Sequence, residues 1–233
     1  MFRKIRMAAA VAVLLFSSLA CNLTKLAQNA QATQTAQAAV DLTPGDTSSS
    51  ATPIPASDLP TEVGEIHLTS ADLPAGFTAI SDDQMAQMGI SAQELSSAIT
   101  SILSGATTRN TDAFLNPSTN EVILCAIIAP LNALERTAFD LYLSDPSRVL
   151  GEIEAQAENT TASQNTSVSV GDASVAFESL TERPYLSLSG QGVLSRRGSV
   201  IQVTLLFYPQ GVAPTISAAG VAATMDAKMQ SAQ

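Results

Sequence analysis

Few side chains of this 233-residue chain could support acid–base chemistry. His67 is its single histidine, and Asp72 lies close enough along the chain to orient it in a Ser-His-Asp arrangement. A hydrolase of that kind usually carries its serine on a sharp strand-to-helix turn, and the sequence contains no Gly-x-Ser-x-Gly motif. A lone histidine in a strand is usually a solvated side chain. We therefore predict that His67 is not catalytic and that the chain is not an enzyme.

Metal and nucleotide sites are not indicated either. The sequence has no cluster of His and Cys, and the adjacent pair Asp82 and Asp83 is better explained as a helix N-cap. The glycines at positions 190, 192 and 198 do not follow the strand-to-helix pattern of a dinucleotide-binding loop. We expect no metal and no cofactor.

Cys125 offers a thiol that could act as a redox centre or as a nucleophile. It lies in the apolar run EVILCAIIAP, and a single cysteine in such a run is usually a small buried hydrophobe. If the other cysteine, Cys21, is modified as argued below, no intramolecular disulfide can form. We expect Cys125 to be structural.

Arg196 and Arg197 are the one adjacent basic pair on an acidic domain. They are candidate contacts for an anionic ligand or partner. Residues that flank a tight turn are commonly polar, however, and a turn at Arg197-Gly198 explains the pair without a ligand. We favour the second interpretation and keep the first as a candidate.

The N-terminus has the features of a secretory signal. Arg3, Lys4 and Arg6 form a positive region, and the uncharged run Met7–Phe16 has about ten residues, whereas a membrane-spanning helix needs roughly 20. Small and apolar residues then precede Cys21, which resembles the bacterial lipobox. In proteins with that motif the peptidase cuts before the cysteine, and the cysteine thiol carries diacylglycerol.

The match to the lipobox has one departure, because Ser18 stands three residues before the cysteine, where Leu is commonest. Ordinary secretion with cleavage after Ala20 is the alternative. We predict that residues 1–20 are a lipoprotein signal peptide and that Cys21 is lipidated. The protein would then be held on the extracytoplasmic side of the cell membrane or outer membrane, with the bilayer as a partner.

Residues 21–61 are rich in Ala, Gln and Thr, then in Ser and Pro, with few large apolar side chains. Such a segment cannot bury enough surface to offset its ordering entropy, so we predict a flexible linker. About 40 residues of this kind have a root-mean-square reach of roughly 35 Å.

The charge of the chain excludes one class of partner. Removal of residues 1–20 takes three of the 11 basic side chains and none of the 21 acidic ones, which leaves a formal charge of −13. Phosphate backbones would repel such a surface, so we expect no binding to nucleic acid.

Residues 62–230 are predicted to form one α+β domain with a mainly antiparallel sheet. A short strand is expected at Ile66–Thr69, and Ser91 with Glu94 indicates a capped helix. Segments 108–115 and 121–129 are predicted to form a hairpin whose second strand is central and covered on both faces, because both of its alternating sets are apolar.

Two helices should follow this hairpin. Asn132 and Glu135 cap the first, and Asp145 with Pro146 starts the second. We expect Leu134, Ala138, Leu141 and Tyr142 to be buried in the first, and Val149, Leu150 and Ile153 in the second. Glu152, Glu154 and Glu158 should form a solvated face.

The last third of the chain is predicted to be a meander. After a polar loop at 159–165, apolar residues alternate with polar ones from Val168 and Val170 to Phe207, which predicts antiparallel strands with one covered face. A closing helix should begin near Pro214 and cover the sheet with Ala218, Val221, Ala222, Met225 and Met229.

Three stretches carry a resemblance: ADLPAGFTAIS, VGDASVAFES and VLSRRGSVIQVTL, followed by the Ala-rich closing helix. Together they are similar to the mycobacterial LpqN-type lipoproteins and the wider PsbP-like α/β/α sandwich over most of residues 62–230. Proteins of that fold are mostly binding or assembly modules without catalysis. The resemblance therefore implies a binding or sensor module for an envelope protein or small ligand, with an assembly factor of an envelope complex as the alternative. Sensor domains of related kinases carry paired disulfides, from which the single Cys125 departs.

Overall fold

The computed structural model describes residues 66–81, 83–84, 107–129, 131–156, 159–182 and 187–232. The predicted signal peptide, the lipidation site Cys21 and the linker 21–61 lie outside these ranges, as do Asp82, Glu158 and the helix predicted from Ser91. The described residues form an α+β fold with one antiparallel sheet, three α-helices and a short 3-10 helix at Ser70–Asp72.

The strands and helices have the following bounds. The strands are β1 (Thr78–Ala79), β2 (Thr107–Asn116), β3 (Glu121–Ala129), β4 (Thr160–Gln164), β5 (Ala173–Thr181), β6 (Leu188–Arg197) and β7 (Val200–Pro209). The helices are α1 (Ala133–Leu143), α2 (Pro146–Gln156) and α3 (Ala218–Ser231). The strand order across the sheet is β1-β2-β3-β7-β6-β5-β4, and every neighbouring pair is antiparallel.

Strands β2 and β3 form the predicted hairpin. Asn120 ends its turn with φ of 58°, a left-handed conformation that Asn tolerates better than most residues. All nine residues of β3 are buried, because β2 and β7 flank it and helices pack on both sides of the sheet. The prediction of two covered faces is confirmed, although the middle strand of the seven is β7.

The prediction of one covered face is wrong for β7. Gln202 and Thr204, which we expected on the solvent side, have no exposed surface. Gln202 Nε2 donates to Thr204 Oγ1 at 2.9 Å and to the Ala222 carbonyl of α3 at 3.2 Å. Polar residues are tolerated under the helix because most of their polar atoms find partners there.

Helix α1 packs on the opposite face of the sheet from α3. Asn132 caps it as predicted, with its Oδ1 accepting the Glu135 amide at 2.9 Å and Glu135 Oε2 accepting the Asn132 amide at 2.8 Å. The prediction for Leu141 is wrong, since that side chain is 57% exposed while Phe139 and Tyr142 are fully buried. A helix turn of 3.6 residues places positions 135, 138, 139 and 142 on one face and turns position 141 away from it.

Helix α2 packs beside α1, with Val149 and Ile153 buried as predicted. Glu152 does not belong to a solvated face. It accepts hydrogen bonds from the Tyr142 hydroxyl at 2.8 Å and from Arg148 Nε at 3.2 Å. Burial and the carboxylate of Glu152 raise the pKa of Tyr142, so that this phenol stays protonated.

Helix α3 begins at Ala218, four residues after the predicted start at Pro214. The buried carboxylate of Glu121 fixes the preceding segment by accepting from the amide and the hydroxyl of Thr215 at 2.5 Å each. The Ser217 hydroxyl then caps the helix by accepting the Gly220 amide at 3.1 Å. The predicted inward stripe is confirmed, with all of its members buried: Ala218, Val221, Ala222, Met225 and Met229.

Predictions for the segments around β5 are wrong in two places. The polar loop predicted at 159–165 contains strand β4, because small polar residues at a sheet edge can pair while their side chains stay solvated. Val168 and Val170, predicted in a strand, lie in an irregular segment that packs on the α3 side of the sheet. The Val170 amide donates to Ser174 Oγ at 3.1 Å instead of to a neighbouring strand.

The predicted strand at Ile66–Thr69 is also absent. We call Ile66–Thr69 the entry segment. Its backbone is bound by side chains and not by a neighbouring strand. The Leu68 amide donates to Asp112 Oδ2 at 2.8 Å, and Lys228 Nζ donates to the His67 carbonyl at 2.9 Å. The entry segment is thereby fixed against β2 and the last turns of α3.

Candidate functional site

His67 and Asp72, considered above as an acid–base pair, do not meet. His67 Nδ1 lies 2.9 Å from Asp112 Oδ1, whereas Asp72 Oδ2 accepts from Lys228 Nζ at 2.6 Å. Burial alone would raise the pKa of Asp72, but hydrogen bonds from Lys228 and Thr69 outweigh it and lower that pKa. In the described part of the chain, the His67 side chain has Asp112 as its hydrogen-bond partner, and both residues help to fix the entry segment.

Cys125 is buried, as expected, with 1% of its surface exposed. Its Sγ lies 3.8 Å from Thr204 Oγ1 under α3. Burial raises the pKa of the thiol to about 12, so the nucleophilic thiolate is strongly disfavoured near neutral pH.

Arg196 and Arg197 are the candidate ligand contacts, and both guanidinium groups are engaged inside the fold. Neighbouring residues of a strand point to opposite faces of the sheet. Arg196 Nε and Nη2 donate to the two oxygens of Asp140 on α1, at 2.6 and 3.0 Å. Arg197 Nε and Nη2 donate to the two oxygens of Asp226 on α3, at 2.5 and 2.7 Å. The arginine pair therefore fastens one helix to each side of the sheet.

Asp172 joins these two pairs at the end of β6. It accepts from Arg196 Nη1 at 3.1 Å and from the Gly198 amide at 2.7 Å, and it lies 3.5 Å from Arg197 Nη1. We call Asp140, Arg196, Asp172, Arg197 and Asp226 the carboxylate–arginine chain. Its two positive groups are balanced by three carboxylates, so an added anion would compete with partners already in place. Binding of an anion by the arginines, the interpretation that we did not favour from the sequence, stays a hypothesis.

At the α3 end of the carboxylate–arginine chain, Arg197 and Asp226 each stabilise the ionised form of the other. The hydrogen bonds from Arg197 lower the pKa of Asp226, and those same bonds raise the pKa of Arg197. Asp226 is 7% exposed. Both side chains are thus held in their ionised forms in a mostly buried interface. Solvent and salt screen an ion pair less there than at the surface.

Sequence reasoning missed the three carboxylates of the carboxylate–arginine chain. One signal was present, because the side chains of adjacent arginines in a strand point to opposite faces of the sheet. A helix that covers each face can then supply an acid. Which acid does so depends on the helix placement, which the local pattern does not specify.

A cleft of about 240 Å³ opens beside the first turn of α3, between that helix, strands β5 and β6, and the segment before β5. Its apolar lining includes Val168, Ala176 and Val193. Polar groups line it as well: Asn165, Ser167, Glu178, Gln191 and Ser217.

Internal hydrogen bonds position the polar groups of the cleft. Gln191 Oε1 accepts the Ala218 amide at 3.1 Å, which ties the strand to the helix start. Asn165 Oδ1 accepts from the Ser167 hydroxyl at 2.6 Å, and Asn165 Nδ2 donates to Glu178 Oε1 at 3.4 Å. Glu178 is the charged member of the lining, and its side chain is exposed. The cleft can therefore offer fixed hydrogen-bonding groups and one carboxylate to a small molecule.

The described residues hold no group of three or more His, Cys, Asp or Glu side chains placed to bind a metal ion. None of the helices they form is both long and apolar enough to cross a bilayer.

Comparison of the chain with family models, with curated proteins and with solved structures found no match.

Proposed function

We propose that this protein is a lipid-anchored extracytoplasmic module that binds a small polar ligand without catalysing a reaction. The observation that carries the proposal is the cleft at the start of α3, with its apolar wall and its fixed polar groups. Small-molecule sites are typically concave and mainly apolar, with a few polar groups that set orientation. The volume of about 240 Å³ suits a ligand of few atoms.

The position of the cleft fits a tethered module. The entry segment, which follows the predicted linker, is bound to Lys228 near the end of α3. The cleft lies at the first turn of the same helix, and 14 helical residues span about 21 Å. On this proposal the linker would join the domain at one end of α3 and the ligand would bind at the other, away from the anchor.

The charges of the cleft limit the ligand class. Glu178 is its charged lining group, and the chain as a whole is acidic. A neutral or cationic ligand with hydrogen-bonding groups would be favoured, whereas an anion would be repelled. A non-catalytic role is supported by Cys125, because its thiol is buried and the nucleophilic thiolate is therefore disfavoured.

The fold that accompanies this proposal is the PsbP-like sandwich, supported by helices on both faces of the sheet. The alternative function, an assembly factor, would present a large exposed apolar patch. Among the described residues, the large apolar side chains classed as exposed are Leu141 and Val212, on separate elements. The cleft therefore favours a binding module over an assembly factor.

Thermal unfolding of the full chain against a library of small polar and cationic molecules tests the binding function. A ligand at 100 times its dissociation constant adds about 2.7 kcal/mol, which raises Tm by roughly 5–10 °C for a domain of this size. Glu178→Gln should reduce the shift for a cationic ligand, while Glu182→Gln, an exposed carboxylate outside the cleft, should leave it unchanged. A library that shifts Tm nowhere, or an equal shift with Glu178→Gln and with a blocking Ala219→Trp substitution, would contradict the proposal.

Lipidation is tested separately by mass spectrometry of the membrane-extracted protein. We expect a mature N-terminus at Cys21 that carries diacylglycerol, because a charged region, a short apolar run and small residues precede it. Cys21→Ser should move the protein out of the membrane fraction. An unmodified Cys21, or unchanged partitioning of the variant, would show ordinary secretion or another mode of attachment.

A further inference from the structure

Strand β4 forms one edge of the sheet, with β5 on its inner side. Two hydrogen bonds fix which backbone groups point inward, namely Asn165 amide to Ala176 carbonyl and Glu182 amide to Asn159 carbonyl, each at 2.9 Å. In an antiparallel ladder the inward and outward groups alternate along the strand. The amides and carbonyls of Thr160, Ala162 and Gln164 therefore point away from the sheet.

A side chain already binds one backbone amide in the middle of this free edge. Glu154 of α2 accepts the outward amide of Ala162 on its Oε1 at 2.8 Å. Helix α2 contacts β4, so the carboxylate reaches the strand from a neighbouring element. Glu154 was predicted to belong to a solvated face, and its side chain is exposed. It nevertheless makes a specific hydrogen bond with the backbone of β4.

The strand itself has none of the usual protections of an edge. Natural edge strands avoid pairing through charged side chains, proline or bulges. The five residues of β4, TTASQ, include no charge and no proline, and their pairing with β5 runs without a register shift. Protection of this edge therefore comes from α2, which contacts β4 and supplies the Glu154 carboxylate to the Ala162 amide.

We propose that Glu154 guards a latent self-pairing edge, and that β4 of a second copy of this chain is the occupant it excludes. Two antiparallel β4 strands related by a two-fold axis at Ala162 would pair residue 160 with 164 and 162 with 162, forming up to about six backbone hydrogen bonds. That pairing requires the outward amide that Glu154 now holds. It would also bring two Glu154 carboxylates together, which disfavours it further.

The occupant is a second copy because the geometry is self-complementary. The outward groups at positions 160, 162 and 164 are symmetric about the centre of the strand. The uncharged β4 side chains would meet without like-charge repulsion. Removal of Glu154 thus leaves nothing in the strand itself that opposes the pairing.

Light scattering after size-exclusion chromatography tests this on the full chain, with Cys21→Ser in every sample so that no lipid drives association. The parent should be a monomer at micromolar and at 100-micromolar concentration. Glu154→Ala should approach twice that mass as concentration rises. Glu182→Ala is the matched control, because it removes the same charge at the end of β5 without touching the β4 amides, and it should stay monomeric.

Two further measurements identify the edge as the contact. Adding Ala162→Pro to Glu154→Ala removes the central outward amide and should restore the monomer. Hydrogen exchange of the Ala162 amide in Glu154→Ala should slow at least tenfold between dilute and concentrated samples, a readout that does not depend on the proline variant folding. A monomeric Glu154→Ala with native circular dichroism, a dimeric parent, equal dimerisation of Glu182→Ala, or unchanged Ala162 exchange in a dimer would each overturn the proposal.

Discussion

Gly192→Ala should lose about 2–3 kcal/mol of the free energy of unfolding, a large loss for the addition of one methyl group. Gly192 pairs with Phe177 across β5 and β6, and a Cβ built on it would lie 2.1 Å from Phe177 Cζ. The ring of Phe177 is in the core on the α1 side of the sheet and is 4% exposed. It cannot move aside without displacing its packed neighbours, so the methyl group creates strain.

A double-mutant cycle identifies the cause of that loss. Phe177→Ala alone should cost about 3–5 kcal/mol through the cavity it leaves. In that background Gly192→Ala should cost little or become stabilising, because alanine loses less backbone entropy than glycine on folding. Gly151→Ala on α2 is the control, since no atom lies within 4 Å of its added Cβ, and it should gain about 0.5–1 kcal/mol. Additive losses in the cycle, measured by urea unfolding, would contradict the steric explanation.

Asp226→Asn should lose about 2–4 kcal/mol at pH 7, because it leaves the guanidinium of Arg197 without its main partner in a partly buried site. The side chain of Asp226 is 10% exposed and that of Arg197 is 21% exposed. Asp140→Asn is the matched control. Asp140 also binds an arginine through both oxygens, but its side chain is 43% exposed. Without it Arg196 would still donate to Asp172 Oδ2 at 3.1 Å and to the Gly198 carbonyl at 2.8 Å, so the loss should be about 1 kcal/mol or less.

The loss of unfolding free energy caused by Asp226→Asn should disappear in acid. The hydrogen bonds from Arg197 lower the pKa of Asp226 in the folded chain. A carboxyl group with a lowered folded pKa contributes stability that is fully present above the unfolded pKa of about 3.9. That contribution is lost as pH falls through the folded value. The difference in the free energy of unfolding between the parent and Asp226→Asn should therefore shrink steadily below pH 4. A difference that is equal at pH 7 and at pH 2.5 would show that the charge of Asp226 is irrelevant.

Local sequence signals predicted the parts of the fold that depend on near neighbours. The β2–β3 hairpin follows from two apolar runs around a polar turn, and the α1 cap follows from Asn132 and Glu135. The inward stripe of α3 was correct even though the start at Pro214 was not. That start moved because Glu121, far away in the chain, accepts hydrogen bonds from the amide and the hydroxyl of Thr215.

The candidate site was less predictable, because each part of it joins distant segments. The cleft takes its lining from β5, β6, the segment before β5 and the start of α3, none of which has a recognisable motif. Arg196 and Arg197 were recognised as unusual, but their interpretation as polar residues flanking a tight turn missed Asp140 and Asp226 on two different helices. Glu154 was taken for a solvated residue because nothing in α2 indicates that β4 lies beside it.

The sequence by itself determined the α+β class, the hairpin, the cap of α1 and the expectation of a signal peptide with a lipid on Cys21, since these depend on composition, period and short spacing. The tertiary structure decided what covers each face of β7, where α3 begins, and which carboxylates meet the two arginines. Only the packing of α2 against β4 showed that Glu154 holds the Ala162 amide. The physical reason is the same in each case. The partner of a buried polar group is chosen by the assembly of the sheet and helices, and residues far apart in the chain compete for it.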